Sequence, residues 1–114
     1  MFFNECHLAG RQYYDVDEVW DKLHVGLVVR LEREMDNRFD ANAVAVLYDD
    51  VDEKGVPTGE TYSLGYIPRG ENGTIAKLLE MGWGHIFECK ICKINPDTCY
   101  EDQIHLSIRI KKNE

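Results

Sequence analysis

The segment QIHLSIRIK, residues 103–111, leaves its chain little choice of conformation. Ile104, Leu106, Ile108 and Ile110 alternate with Gln103, His105, Ser107 and Arg109. An extended chain puts the four aliphatics on one face and the polar residues on the other, whereas a helix would scatter both sets around its axis. The segment is therefore read as a half-buried strand. The same period recurs over His24 to Leu31, with Val25, Leu27, Val29 and Leu31 inward, and over Ala43 to Tyr48, Thr61 to Ile67 and Ile86 to Ile94. A shorter run near Phe3 to Leu8 brings the expected number of strands to about six.

Helical spacing is confined to two places. In NGTIAKLLEMG, Ile75, Leu78 and Leu79 fall on one helical face, Asn72 stands where an N-cap is needed, and Gly82 stands where the helix should stop. The segment Asp15 to Leu23 fits a shorter helix with acids near its start and Val19, Trp20 and Leu23 as its apolar face. Between two strand signals, DDVDEKGVPTGE (49–60) reads as an exposed acidic hairpin loop. Antiparallel strands without βαβ alternation predict a mainly β fold, a small closed or partly open barrel with one or two helices.

The 114 residues suffice for one domain with a core, expected to span 1–114, and are too few for two ordinary ones. Hydrophobic residues at 44% and charged residues at 30% are the proportions of a globular chain. The longest apolar run, Val25 to Val29, is far below the roughly 20 residues needed to cross a bilayer, so no membrane association is expected. MFFNECHLAG has neither the basic start nor the apolar core of a secretory signal, which predicts a cytoplasmic protein whose Cys6, Cys89, Cys92 and Cys99 stay reduced.

Chemistry is sparse. The CxxC of FECKIC lies in a strand, where residues three apart face opposite sides: Cys89 joins Phe87 and Ile91 inward while Cys92 points out. That separation argues against zinc and redox roles alike. His7, His24, His85 and His105 are scattered, without a nucleophile motif or a Gly-rich phosphate loop. No enzyme activity, metal or cofactor is expected.

The most unusual stretch is RLEREMDNRFDANAVAV, residues 30–46, where Asp36, Asn37, Asp40 and Asn42 surround Phe39. All four polar side chains can bond nearby backbone and shape a tight loop. As a calcium loop it fails, with Arg38 at the third-ligand position and Leu47 at the twelfth.

Together with LAGRQYYD and LGYIPRGENGTIAKLL, and in that order, this loop resembles the HIRAN domain. The resemblance covers roughly residues 3 to 110, and so looks like a stand-alone HIRAN protein without the fused helicase or nuclease modules. It implies a barrel like that of the oligonucleotide/oligosaccharide-binding fold and, from a eukaryotic fork-remodelling member, capture of a single-stranded DNA 3′ end in DNA repair or replication restart. By position, Tyr13 and Tyr14 would stack on terminal bases and Asp40 would accept a hydrogen bond from the terminal hydroxyl. Phe39 would be a neighbouring aromatic, and Tyr66 would lie near a terminal polar contact. Phosphate contacts would come from basic residues of these segments, namely Arg11, Arg33, Arg38 and Arg69. Gln12 stands where that member has arginine, Phe39 where it has tyrosine and Tyr66 where it has histidine.

A net charge of −8 opposes indiscriminate polyanion binding, because phosphate neutralisation supplies most of that affinity. Yet five of the six arginines (Arg11, Arg30, Arg33, Arg38, Arg69) lie in or beside the three motifs, while acids gather at Asp15 to Asp21 and Asp49 to Glu53. Two readings stay open at this level: a single-strand DNA-binding module working with a helicase or nuclease partner, or a protein-interaction barrel without DNA affinity.

Overall fold

The computed structural model describes residues 2–111, with side chains from Asn4 onward. Six strands form one antiparallel sheet: β1 (Phe2–His7), β2 (Val28–Arg33), β3 (Val44–Val51), β4 (Pro57–Tyr66), β5 (Phe87–Ile94) and β6 (Ile104–Ile110), ordered β1-β6-β5-β2-β3-β4. Two short α-helices accompany them, α1 (Val16–Val19) and α2 (Gly73–Glu80). No helix among the described residues is long and apolar enough to cross a membrane.

The mainly β reading holds, with one qualification on the barrel. Strands β2 to β4 make one meander and β1, β5 and β6 the other half, joined through two ladder pairs, Val28 with Lys90 and Val29 with Cys89, and through backbone bonds of Ile91 with Gly26 and Leu27. The sheet does not close into a ring. Its two edges meet at a single bridge, where Ala9, just beyond β1, and Tyr66, at the end of β4, exchange both backbone hydrogen bonds at 2.9 and 3.0 Å.

The bridge depends on a glycine. Gly65 has φ +147°, and a Cβ there would sit 2.4 Å from the Ala9 carbonyl oxygen. Only a residue without a side chain lets the two edges approach so closely.

Alternation in β6 has the outcome its sequence demands: Ile104, Leu106 and Ile108 are fully buried. Cys89 points inward with Phe87 and Ile91. Ile75 and Ala76 of α2 are buried, with Leu78 and Leu79 partly so, and Gly82 at φ +83° ends the helix by donating to the Leu79 carbonyl. Each buried aliphatic contributes about 1.5 to 3 kcal/mol.

Three local expectations change. β2 starts four residues later than its alternation suggested, leaving Val25 62% exposed. The helix over Asp15 to Leu23 is one α turn followed by a 3₁₀ turn at Trp20–Lys22, burying Val16, Val19 and Leu23. The acidic loop is mostly paired strand: β3 runs to Val51, β4 starts at Pro57, and only residues 52–56 form the tip. Within it Asp50 is buried, held by Lys22 Nζ at 2.6 Å, Tyr48 Oη at 3.1 Å and Thr58 Oγ1 at 3.1 Å.

Candidate functional site

The end of β4 and the turn into α2 form the hub on which the three motif segments meet. Beyond the Ala9 bridge, Gly10 at φ +71° starts a 3₁₀ turn, Arg11–Tyr13, that brings Tyr14 back against Tyr66. Their rings meet edge to face with centroids 5.4 Å apart. Asp15 then fastens the segment to β4, its amide donating to the Ser63 carbonyl at 2.8 Å and its carboxylate accepting from the Ser63 amide at 3.1 Å.

From the other side comes the loop between β2 and β3. Asn37 Oδ1 accepts from the amides of Phe39 (2.9 Å) and Asp40 (3.0 Å), and Asp40 Oδ1 accepts from the amide of Asn42 (2.9 Å). These are the turn-forming bonds that short polar side chains make. Groups outside the turn then dock the folded loop. Asn72 Nδ2 donates to Asp40 Oδ2 at 2.7 Å, Arg69 to the Phe39 carbonyl at 2.6 Å, and Arg33 to the Ala41 carbonyl at 2.7 Å. The Tyr66 hydroxyl reaches both oxygens of Glu34, at 2.8 and 2.7 Å.

Fixed from below, the loop holds Phe39 out into solvent, 85% exposed, and across Tyr66 the turn does the same with Tyr13, 78% exposed. Tyr14 is 40% exposed and Gln12 is exposed beside it. Neither tyrosine turns into the core, because both lie beyond the strand in a turn whose buried residue is Arg11. That guanidinium lies between the rings of Trp20 (5.3 Å) and Tyr100 (4.9 Å) and donates to Asp17 at 2.8 Å.

Arg11, at 3% exposure, is thus a packing residue where the sequence placed a phosphate contact. Arg33 is largely buried too and pairs with Glu80 at 3.1 Å. Arg30 is committed to Asp49 through two hydrogen bonds of 2.8 and 3.1 Å. Of the five clustered arginines, Arg38 and Arg69 are left to meet an anion: both are exposed, and Arg38 has no side-chain partner among the described residues.

Two residues that sequence reading did not place in the site belong to it. Asn72, read as a helix cap, is buried and makes no capping bond; it spends its amide on Asp40. Glu34 binds Tyr66 and Asn37. Its place at the end of β2, three residues before an Asn that turns the chain, was the available signal. Burial, then the Glu34 bond, pushes the Tyr66 phenol above the ordinary tyrosine range, so its proton stays on. The thiols of Cys6 and Cys89 are also pushed up, that of Cys6 to about 12, chiefly by burial, which makes them core groups without nucleophilic character.

A crystal structure of a protein from Lactobacillus plantarum has the same fold, with a TM-score of 0.70 over 95% of this chain and 91% of that one at 23% identity. No curated protein matches the chain. The family model described as the HIRAN domain matches residues 1–112, the span that contains all three motif segments. The chain belongs to the HIRAN domain family, a family of nucleic-acid-binding modules.

Proposed function

We propose that this domain captures the 3′ end of single-stranded DNA, binding it without chemical change and presenting it to a helicase or nuclease partner in DNA repair or replication restart. The observation that carries the reading is the docked loop: bonds from the distant Arg69 and Asn72, and from Arg33 at its stem, hold Phe39 in water, where an unoccupied phenyl ring has no favourable contact. A base stacked on such a ring is worth about 1 to 3 kcal/mol, and Tyr13 offers a second face. Arg38 and Arg69 supply cations for the backbone between them. Asp40 uses one lone pair of each oxygen inside the protein, and an ionised carboxylate has about four acceptor sites, so a terminal hydroxyl has somewhere to donate.

The −8 charge does not oppose this. The hairpin tip lies at the far end of the ten-residue β4, about 30 Å along the strand from Tyr66, several times the Debye length of about 8 Å at physiological salt. Asp17 is paired with Arg11 and Asp49 with Arg30.

Fluorescence anisotropy with labelled single strands ending in a 3′ hydroxyl or a 3′ phosphate, at low and moderate salt, tests the reading. Binding to the hydroxyl strand with weaker binding to the blocked one is expected, and Asp40→Ala should remove the preference. Equal, negligible binding to every strand overturns the reading in favour of a protein-interaction barrel.

A further inference from the structure

The Tyr66 hydroxyl carries one proton, and two groups compete for it. Glu34 offers two carboxylate oxygens at 2.8 and 2.7 Å, and Tyr14, whose ring packs edge to face on that of Tyr66 at 5.4 Å between centroids, is the neutral phenol nearby. A charged acceptor at that distance outcompetes a neutral phenol. The Tyr66 proton therefore points at Glu34, and any hydrogen bond between the two tyrosines must use the proton of Tyr14. Asn37 Nδ2, donating to Glu34 Oε1 at 3.1 Å, holds the carboxylate in place from the loop side. No cation forms an ion pair with Glu34 among the described residues; Arg33, its chain neighbour, is turned to Glu80.

Resting on the 3′-end reading, we infer that Glu34 sets the hydrogen-bond polarity of the site, drawing the Tyr66 proton inward so that this phenol meets the ligand as an acceptor. With the Asp40 carboxylate, the Tyr66 oxygen and Glu34 then form an acceptor patch, while the donors of the site, Arg38 and Arg69, stand on the Phe39 side. Such a patch selects a neutral donor, a hydroxyl, and disfavours a terminal phosphate, which would find no proton there and would bring added negative charge near two carboxylates. Tyr66 thus does the opposite of what a donor at its position would do. Glu34 is a positioning residue and Tyr66 the group through which it acts.

Glu34→Gln separates this from simple support of the loop. Glutamine keeps the size of the side chain, loses the charge, and can donate from its own amide to Tyr66, which frees the Tyr66 proton to turn outward. The quantity to measure is the ratio of affinities for strands ending in 3′ hydroxyl and 3′ phosphate, by anisotropy at one fixed salt concentration, since a merely structural defect weakens both strands together. We expect a ratio of about tenfold or more in the wild type, falling to about threefold or less in Glu34→Gln. Tyr66→Phe, which cuts the relay and leaves Glu34 charged, should give an intermediate ratio and serves where Glu34→Gln fails to fold. A wild-type ratio retained in either folded variant overturns the role of Glu34 and leaves 3′-end capture standing. A wild type that binds no strand, or binds both ends alike, overturns 3′-end capture itself and this inference with it.

Discussion

The loop between β2 and β3 and the tip between β3 and β4 are built from the same chemistry and end up with opposite characters. Each turns on an acid that accepts backbone amides: Asp40 from Asn42, and Asp52 from Lys54 at 2.8 Å and Val56 at 2.9 Å. The tip stops there, since among the described residues Asp52 and Gly55 bond only within 52–56. The other loop is bonded further by Arg33, Tyr66, Arg69 and Asn72. Local polar side chains make a turn; docking by remote residues turns it into a rigid display for an aromatic ring.

Strand β4 runs from one region to the other, and its two glycines with positive φ allow the sharpest contrast. At Gly59 (φ +88°), near the tip, an added Cβ meets nothing within 4 Å, so Gly59→Ala pays only for backbone strain, about 1 kcal/mol. At Gly65 the same atom strikes the Ala9 carbonyl, with the Leu8 side chain 3.2 Å away. Gly65→Ala should cost about 3 kcal/mol or more in urea unfolding, since backbone cannot move aside as a flexible side chain can. Similar losses at both glycines would mean that the Ala9 to Tyr66 bridge contributes nothing.

A smaller effect is expected from the anchors themselves. Asn72→Ala leaves Asp40 Oδ2 without its 2.7 Å donor and a void where a fully buried side chain sat, for a loss of about 2 kcal/mol, and it should weaken single-strand binding through the loosened loop. Asp52→Ala removes two exposed turn bonds, should cost about 1 kcal/mol, and should leave strand binding unchanged. Urea unfolding and anisotropy on the two variants read both halves of the contrast. Binding lost with Asp52→Ala, or retained with Asn72→Ala, would break it.

What could be read in advance follows the range of the interaction. Ile104 to Ile110 reveal their face through neighbours two residues away, and Gly82 marks a helix end through bonds spanning a few residues, so both were legible. The exposed aromatics Tyr13 and Phe39 were reached through motif likeness. Arg11 was not legible, because its place is made by Trp20 and by Tyr100, some ninety residues on, and a polar residue in a turn is by default exposed. Asn72 escaped for the same reason: at a helix start its local use is a cap, and its actual use is set by an aspartate 32 residues earlier. The docking that separates the loop from the tip was thus the part local pattern could not carry.

The acidic hairpin should also betray itself by pH, with the smallest effect of the set. The bond from Lys22, followed by those from Thr58 and Tyr48, holds the Asp50 carboxyl below its usual range, while the Asp50 bond raises Lys22 above the usual lysine range. A carboxyl whose folded pKa is depressed contributes stability that is present above its unfolded value, near 4, and is lost as the pH falls through the folded value. An ammonium whose folded pKa is raised contributes stability that is fully present below its unfolded value, near 10.4, and is lost as the pH rises through the folded value. The Lys22 to Asp50 pair should therefore support the hairpin from about pH 5 to pH 10 and release it on both sides. Tyr48, which donates to Asp50 and stacks on Tyr62 at 6.4 Å between centroids, places a near-ultraviolet circular dichroism signal beside the pair. Between pH 5 and pH 3 that signal should decline in the wild type. Asp50→Asn, which keeps the shape and removes the ionisation, should flatten the decline. An unchanged decline in Asp50→Asn would locate the acid-sensitive carboxylate elsewhere, and Asp49, which its bond from Arg30 also holds below the usual range, would be the first place to look.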